Sequence, residues 1–148
     1  MPFDDPPLSA TEQIHYAILK RWVKDAWESN ASFDVDDHFH PECLVTGMTP
    51  GVLEGVAQVR VAHSTICARM QHVSAKVASL IVRGDRFAGF IDIEAHHLDS
   101  DVDVAFEVSS FGRMRDGLIY RCHNVIDYTG LYAKLGVLDV ELLRERFG

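Results

Sequence analysis

The chain has 148 residues, a length that predicts one domain with a hydrophobic core of its own. Its residues are 47% hydrophobic and 24% charged, which is typical of globular proteins and excludes a disordered chain. The formal net charge of −8 argues against a nucleic-acid partner, because a phosphate backbone would be repelled. No apolar run reaches the roughly 20 residues that a membrane helix needs, so we expect no membrane partner.

The N-terminus and the cysteines predict where the protein is found. Residues 1–8 include three prolines, so we expect a flexible tail before a single domain over residues 9–148. The N-terminus also lacks the positive and apolar segments of a signal peptide, so we expect none. The three cysteines, Cys43, Cys67 and Cys122, share no metal-ligand spacing. Because an odd number of cysteines is typical of a reducing compartment, we predict a cytoplasmic protein.

The first half of the chain predicts two helices with a short strand between them. Ser9 and Glu12 have the spacing of a capping box, and apolar residues then recur at every fourth position to about Glu28. Residues 43–46 form a candidate strand, which is followed by a loop that contains glycine and proline. A second helical periodicity covers residues 55–70.

The second half predicts four long strands in a meander. Turns that contain glycine and aspartate separate the first strand from the second and the third from the fourth. A short helical turn and a final helix follow. Together the elements predict an α+β domain in which helices cover one face of a curved antiparallel sheet. The strands cover residues 73–82, 87–98, 102–114 and 118–127, and the helical segments cover residues 130–135 and 139–147.

Alternation along the second long strand separates an apolar face from a polar face. Phe87, Ile91 and Ile93 belong to the apolar set, which we expect to face the helices. His97 is the last member of that set. It would therefore lie at the mouth of any cavity between the sheet and the helices.

The end of the chain carries the most informative local pattern. Residues 116–127 read DGLIYRCHNVID, and residues 130–136 read GLYAKLG. This ending resembles that of SnoaL-type polyketide cyclases. Over residues 9–136 the chain resembles the nuclear transport factor 2-like superfamily, which also includes ketosteroid isomerase, scytalone dehydratase and limonene epoxide hydrolase. The resemblance implies a cone-shaped α+β fold, with the N-terminal helices packed on the concave face of the sheet.

The family's acidic residues do not carry over. Asn124 stands where cyclases and epoxide hydrolases have an acidic residue, and an amide can orient a ligand but cannot exchange a proton near neutral pH. Ile91 and Ile93 stand where the epoxide hydrolases have Arg and Asp. Epoxide hydrolysis of that kind is therefore excluded.

The residues of ketosteroid isomerase are missing too. Its tyrosine falls near Trp22, its base near Thr46 or Gly47, and its oxyanion-hole acid near Ser109. The resemblance still implies a ligand-binding cavity at these positions. The predicted ligand-binding set is Asn124, Trp22, Trp27, Ile91, Ser109 and Thr46.

Two histidines match a different subgroup. Scytalone dehydratase and hexachlorocyclohexane dehydrochlorinase have a catalytic histidine where a helix runs into the first long strand. The residue at this position here is His72. The dehydratase has a second histidine on the next strand, and the matching residue is His97. An imidazole has an ordinary pKa near 6.5, so the pair could act as acid and base. The positions of the dehydratase tyrosines are occupied by Trp27 and approximately Gly47. In the dehydrochlorinase an Asp pairs with the catalytic histidine, and the position of that Asp falls near Trp27 or Glu28 here. Alternatively, His72 caps a helix and His97 ends a strand in solvent.

The remaining histidines leave alternatives open. His38 and His40 lie two residues apart and close to Glu42, but no third ligand follows at a fixed spacing, so we expect no metal. His63 lies on the apolar stripe of the second helix, where it either packs in the core or faces the cavity. We also expect no cofactor.

Two kinds of function fit these observations. The first is a cofactor-independent lyase, isomerase or cyclase that uses histidine acid–base chemistry on a small hydrophobic molecule, carbonyl-containing or polycyclic. The alternative is a domain of the same fold that binds a hydrophobic ligand without chemistry, or that serves for dimerisation. We also predict a homodimer, because the outer face of the sheet is polar but not highly charged and needs a cover.

Overall fold

Four α-helices, one 3-10 helix and six strands make up the described part of the chain, which in this computed structural model is residues 6–29 and 33–148. Residues 1–5 of the predicted tail lie outside it. The helices are α1 (Ala10–Glu28), α2 (Gly55–Cys67), α3 (Tyr128–Lys134) and α4 (Val140–Phe147), and the 3-10 helix covers Val35–Asp37. The strands are β1 (Phe39–Thr46), β2 (Val52–Glu54), β3 (Met70–Arg83), β4 (Arg86–His97), β5 (Val102–Arg115) and β6 (Leu118–Ile126).

Helix α1 begins at the predicted capping box. The Glu12 N–H donates to Ser9 Oγ at 3.2 Å, and the Ser9 N–H donates to Glu12 Oε2 at 2.8 Å. Glu12 Oε1 accepts a further bond from the Gly84 N–H at 2.8 Å. Because Gly84 lies in the turn between β3 and β4, the capping residue also fixes the start of α1 to the sheet.

The six strands form one curved sheet in the order β2-β1-β6-β5-β4-β3. Neighbouring strands are antiparallel except for β1 and β6, which run parallel. The predicted α+β fold with a curved sheet is therefore confirmed, and the parallel pair of β1 and β6 makes the sheet mixed rather than antiparallel throughout. A parallel pair joins strands that are far apart in the sequence, so no hairpin turn indicates it.

Both long N-terminal helices cover the same face of the sheet. Helix α1 packs on β3 and α2 packs on β1. The apolar set predicted for β4 faces them, because Phe87, Ile91 and Ile93 are all buried. No helix in residues 6–29 or 33–148 is long and apolar enough to cross a membrane.

The chain passes very close to β6 at the end of β1. Gly47 has a φ of +84°, and a Cβ built there would lie 1.6 Å from the carbonyl oxygen of Asn124. No side chain fits in that space. Glycine therefore allows β1 and the following loop to approach the strand that carries Asn124.

We expect Gly47→Ala to lower the free energy of unfolding by about 3 kcal/mol or more, because the methyl group must push β1 away from β6. Gly51→Ala is the matched control, since Gly51 also has a positive φ (+89°) but nothing lies within 4 Å of a Cβ there. Its cost should be about 1 kcal/mol, from backbone strain alone. Urea denaturation measures both costs, and equal values would contradict the close approach.

Candidate functional site

A small apolar cavity lies between the helices and the inner face of the sheet. Its volume is about 40 Å³, which is room for about three water-sized groups. The polar residues of its lining are His63 from α2, Ser110 from β5 and Asn124 from β6. The apolar residues of the lining are Trp22, Ala26, Trp27, Phe33, Phe39, Met48, Val59, Val108 and Ile126.

A wider groove lies next to the cavity. Trp27, Met48 and Ile126 line both spaces. The groove has a volume of about 700 Å³, and its walls are mainly apolar, with Phe106 and Tyr128 among them. The two spaces therefore share part of their walls, and they differ greatly in size.

Asn124 and Ser110 lie opposite each other on neighbouring strands and form a polar end of the cavity. Ser110 Oγ donates to Asn124 Oδ1 at 2.7 Å, and Asn124 Nδ2 donates to the Thr46 carbonyl at 3.2 Å. Cys122 Sγ donates to the same Oδ1 at 3.5 Å, and burial raises the pKa of this thiol to about 12, so it keeps its proton. Within the described residues, one Nδ2 hydrogen of Asn124 and the lone pairs of the Ser110 hydroxyl remain for a ligand.

Three of the predicted ligand-binding residues line the cavity, namely Trp22, Trp27 and Asn124. The Trp22 ring packs edge-on against Phe39 and the Trp27 ring against Phe106, each pair with centroids 5.9 Å apart. Such contacts hold large rings in one orientation. The two indoles therefore act as fixed apolar walls.

The other three predicted residues lie beside the cavity. Ser109 is half-buried on the outer face of β5, because side chains alternate along a strand and Ser110 is the one that faces inward. Thr46 Oγ1 lies 2.6 Å from His123 Nδ1 on the same outer face. Ile91 is buried and lines a smaller, neighbouring void. A shift of one residue in counting along a strand moves a side chain to the opposite face.

His63 lines the cavity with a neutral imidazole ring. Its Nε2 lies 2.7 Å from the Ala26 carbonyl, and since a carbonyl oxygen only accepts, Nε2 carries the proton and Nδ1 carries the lone pair. Burial lowers the pKa of His63, so the ring is neutral at pH 7. The Phe33 ring lies against it with centroids 4.4 Å apart. Of the two alternatives that the sequence left for His63, the structure favours the cavity.

His38 and His40 have different partners. His38 is buried, and its Nε2 lies 3.3 Å from Asp25 Oδ2. Burial lowers the pKa of His38, and the smaller effect of the Asp25 carboxylate raises it. His40 Nε2 lies 3.8 Å from Asp116 Oδ2. In residues 6–29 and 33–148, no group of three or more His, Cys, Asp or Glu side chains could hold a metal ion.

His72 and His97 do not share a cavity. His97 lines the groove, where its Nδ1 accepts a hydrogen bond from the Ser100 N–H at 3.3 Å. His72 is exposed and lines a separate depression with Glu94 and His96. Its φ is 51°, at a point where the pairing of β3 with β4 is irregular. The catalytic pair of His72 and His97 remains a prediction from resemblance, and the geometry does not bring its two members together.

The fold and the site define a class of protein, an α+β fold in which helices and a curved sheet enclose a cavity with polar groups in an otherwise apolar lining. Within that class, the chain matches the model of the SnoaL-like domain over residues 19–122. It belongs to this family, which is part of the nuclear transport factor 2-like superfamily. The resemblance seen in the sequence is confirmed.

Solved structures share the fold. A protein described as a SnoaL-like polyketide cyclase from Jannaschia sp. CCS1 is 12% identical, with a TM-score of 0.80 over 91% of this chain and 100% of that one. TsrD from Streptomyces laurentii is 19% identical, with a TM-score of 0.73 over 89% and 100%. TerC, co-crystallised with polyporic acid, is 14% identical, with a TM-score of 0.68 over 83% and 98%. Curated proteins give no significant match to the chain.

The surroundings of Asn124 predict that an acidic residue is not tolerated there. In Asn124→Asp, one carboxylate oxygen would face the Thr46 carbonyl, to which the amide now donates. The folded protein should then raise the pKa of the new carboxyl group, so the stability of the variant should fall as the pH rises through about 4. At pH 7 we expect a loss of about 2 kcal/mol or more in the free energy of unfolding, measured by urea denaturation.

Asn124→Ala is the control for this change, because it removes the same hydrogen bonds without adding a charge. Its cost should not depend on pH between 4 and 7. If the two variants have the same pH dependence, the Thr46 carbonyl does not face this side chain as described.

Proposed function

We propose that the protein is a small-molecule enzyme that uses acid–base chemistry on a hydrophobic, carbonyl-containing compound. The observation that carries this proposal is the placement of His63, Ser110 and Asn124 around one otherwise apolar cavity. Apolar walls exclude water, which strengthens the few polar contacts that a substrate makes. Isomerase, lyase and cyclase reactions all fit, because each can begin with a proton transfer next to a carbonyl group.

The sizes of the two spaces orient the substrate. A cavity of about 40 Å³ admits the carbonyl group and its neighbouring atoms, whereas the apolar body fits the groove of about 700 Å³. Asn124 Nδ2 can donate its second hydrogen to the substrate carbonyl. Ser110 fixes the orientation of the amide, since its hydroxyl donates to Oδ1. His97, which lines the groove, would contact the outer part of the substrate.

In this proposal His63 is the base. Its Nδ1 takes a proton from the carbon next to the carbonyl, and the electron pair of the broken C–H bond forms an enolate. The hydrogen bond from Asn124 then stabilises the oxygen that gains negative charge. The proton returns to another carbon in an isomerisation, or a leaving group departs with its electron pair in an elimination. A neutral imidazole needs no cofactor for the first step.

A ligand-binding protein without chemistry is the second candidate. The observation that favours it is Asn124, an amide at the position where the resembling enzymes have an acidic residue. The TerC structure with polyporic acid indicates that this fold can hold an organic ligand. Turnover separates the two candidates.

We also propose a cytoplasmic homodimer as the working form. The chain has three cysteines, and an odd number suits a reducing compartment. Several apolar side chains on the outer face of the sheet are exposed, among them Phe111 and Val125, and a partner subunit would cover them.

The test begins with a panel of aromatic ketones, steroids and short polyketide mimics, screened by thermal shift and then for turnover. His63→Gln should reduce the turnover of a positive compound by roughly 10²–10⁴-fold and leave its affinity nearly unchanged. Because burial lowers the pKa of His63, the rate of the parent protein should be constant above pH 6.5 and fall only below it. Asn124→Ala should weaken binding instead.

His15→Gln is the matched control, since His15 lies outside the cavity with its Nδ1 on the Gly84 carbonyl. The same change at His72 tests the pair predicted from resemblance. If His72→Gln abolishes turnover while His63→Gln does not, the base is not His63. If the ligands bind but none is converted, the protein is a binder.

A further inference from the structure

Three side chains separate the small cavity from the groove. Trp27 from α1, Met48 from the loop between β1 and β2, and Ile126 from the end of β6 line both spaces. His63 lines the cavity but not the groove, and Met70 lines the groove but not the cavity. A molecule that occupies both spaces must therefore pass between the first three side chains, which we call the common wall.

Two members of the common wall are held by their packing. The Trp27 ring lies edge-on against Phe106 with centroids 5.9 Å apart, and a rotation of the ring would break this contact. Ile126 lies opposite the buried Val108 in the pairing of β5 with β6. Because isoleucine is β-branched, its side chain has little rotational freedom at χ1. Moving either residue would disturb the packing between the helices and the sheet.

The backbone of Met48 is fixed, whereas its side chain can adapt. The Tyr128 hydroxyl donates to the Met48 carbonyl oxygen, and the preceding Gly47 lies against the backbone of Asn124. Burial raises the pKa of Tyr128, so the hydroxyl remains a donor at neutral pH. The Met48 side chain is half-buried and unbranched, with three rotatable bonds. It is thus the member of the common wall that can rotate while the main chain stays in place.

We propose that the Met48 side chain is the gate between the groove and the cavity, and that it determines the size of the group that reaches His63 and Asn124. In one rotamer it closes the common wall. In another it leaves an opening through which a small end group enters, while the apolar body of the ligand stays in the groove.

The gate restricts the class of substrate. A compound that fits has a carbonyl group near one narrow end, next to a carbon that carries a hydrogen, and a bulky apolar body at the other end. A ketone that is bulky on both sides is excluded from the cavity. This inference rests on the proposed placement of a substrate across the two spaces, and it adds the residue that selects the substrate.

The test uses two ketones that differ only in the end group. Acetophenone and pivalophenone share a phenyl ring and a carbonyl, but the first ends in a methyl group and the second in a tert-butyl group. Nuclear magnetic resonance follows each space separately, through the imidazole nitrogens of His63 for the cavity and the methyl carbon of Met70 for the groove. His63→Gln and Met70→Leu identify the two signals. In the parent chain acetophenone should shift both signals, and pivalophenone should shift that of Met70 alone.

Two changes at Met48 should act in opposite directions. Met48→Ala removes the gate, so pivalophenone should now shift the His63 signal as well. Its affinity for the cavity should rise by roughly tenfold or more, which is the scale on which a pocket rejects a group that is too large. Met48→Phe closes the common wall with a larger, stiffer side chain. Acetophenone should then still shift the Met70 signal, but roughly tenfold more of it should be needed to shift that of His63.

Val52→Ala and Val52→Phe are the matched controls. Val52 begins β2, is 52% exposed and lies outside both linings. Both variants should respond to the two ketones as the parent chain does. Circular dichroism confirms that each variant is folded, and the comparison of the two ketones in the parent chain needs no variant.

Three results would overturn the gate alone. They are a parent chain in which pivalophenone already shifts the His63 signal, a Met48→Ala variant that still excludes it, and a Met48→Phe variant that binds acetophenone at His63 as the parent does. The placement of the substrate across both spaces would survive each of them. If no ketone shifts the His63 signal, in the parent chain or in Met48→Ala, that placement is wrong and the gate falls with it.

Discussion

The hydrogen bonds of the Asn124 side chain join three strands at one end of the cavity. The amide accepts from Ser110 on β5 and donates to the carbonyl of Thr46 on β1. Leaving a buried polar group unpaired costs about 1–3 kcal/mol. These two bonds therefore favour the strand order in which β6 lies between β1 and β5. Gly47 permits the arrangement, since any side chain there would collide with β6. The polar chemistry of the cavity and the parallel pairing of β1 with β6 therefore depend on the same contacts.

The two-residue period of a strand gives this one sheet two separate surfaces. Along β5, Ser110 points into the cavity, whereas Phe111 and Arg113 lie on the outer face. A shift of one residue in register would exchange the two sets and destroy the site. The turn between β3 and β4 is fixed to the start of α1 by Glu12. The capping box at Ser9 thus contributes to the geometry of a site at the other end of the helix.

Local patterns predicted much of the fold, because each depends on neighbours in the sequence. The capping box, the two N-terminal helices, the four long strands and the inward face of β4 all follow from such patterns. The parallel pair of β1 and β6 does not, since its strands are separated by α2 and four strands. Of the residues expected to bind a ligand, Trp22, Trp27 and Asn124 line the cavity. Ser109 was expected there, but its neighbour Ser110 is the residue that faces inward. No pattern in the sequence marks the irregular strand pairing at His72. For His63 the apolar neighbours on α2 left two alternatives open, the core and the cavity.

The protonation of His63 is the central claim about the site, since a base in the cavity must be neutral with its lone pair on Nδ1. Nitrogen-15 NMR of the imidazole rings in the uniformly labelled protein measures this directly. At pH 7 we predict a His63 ring that is protonated at Nε2 alone, with a pKa below the ordinary value near 6.5 because the ring is buried. A ring that is charged at pH 7, or that carries its proton on Nδ1, would contradict the account.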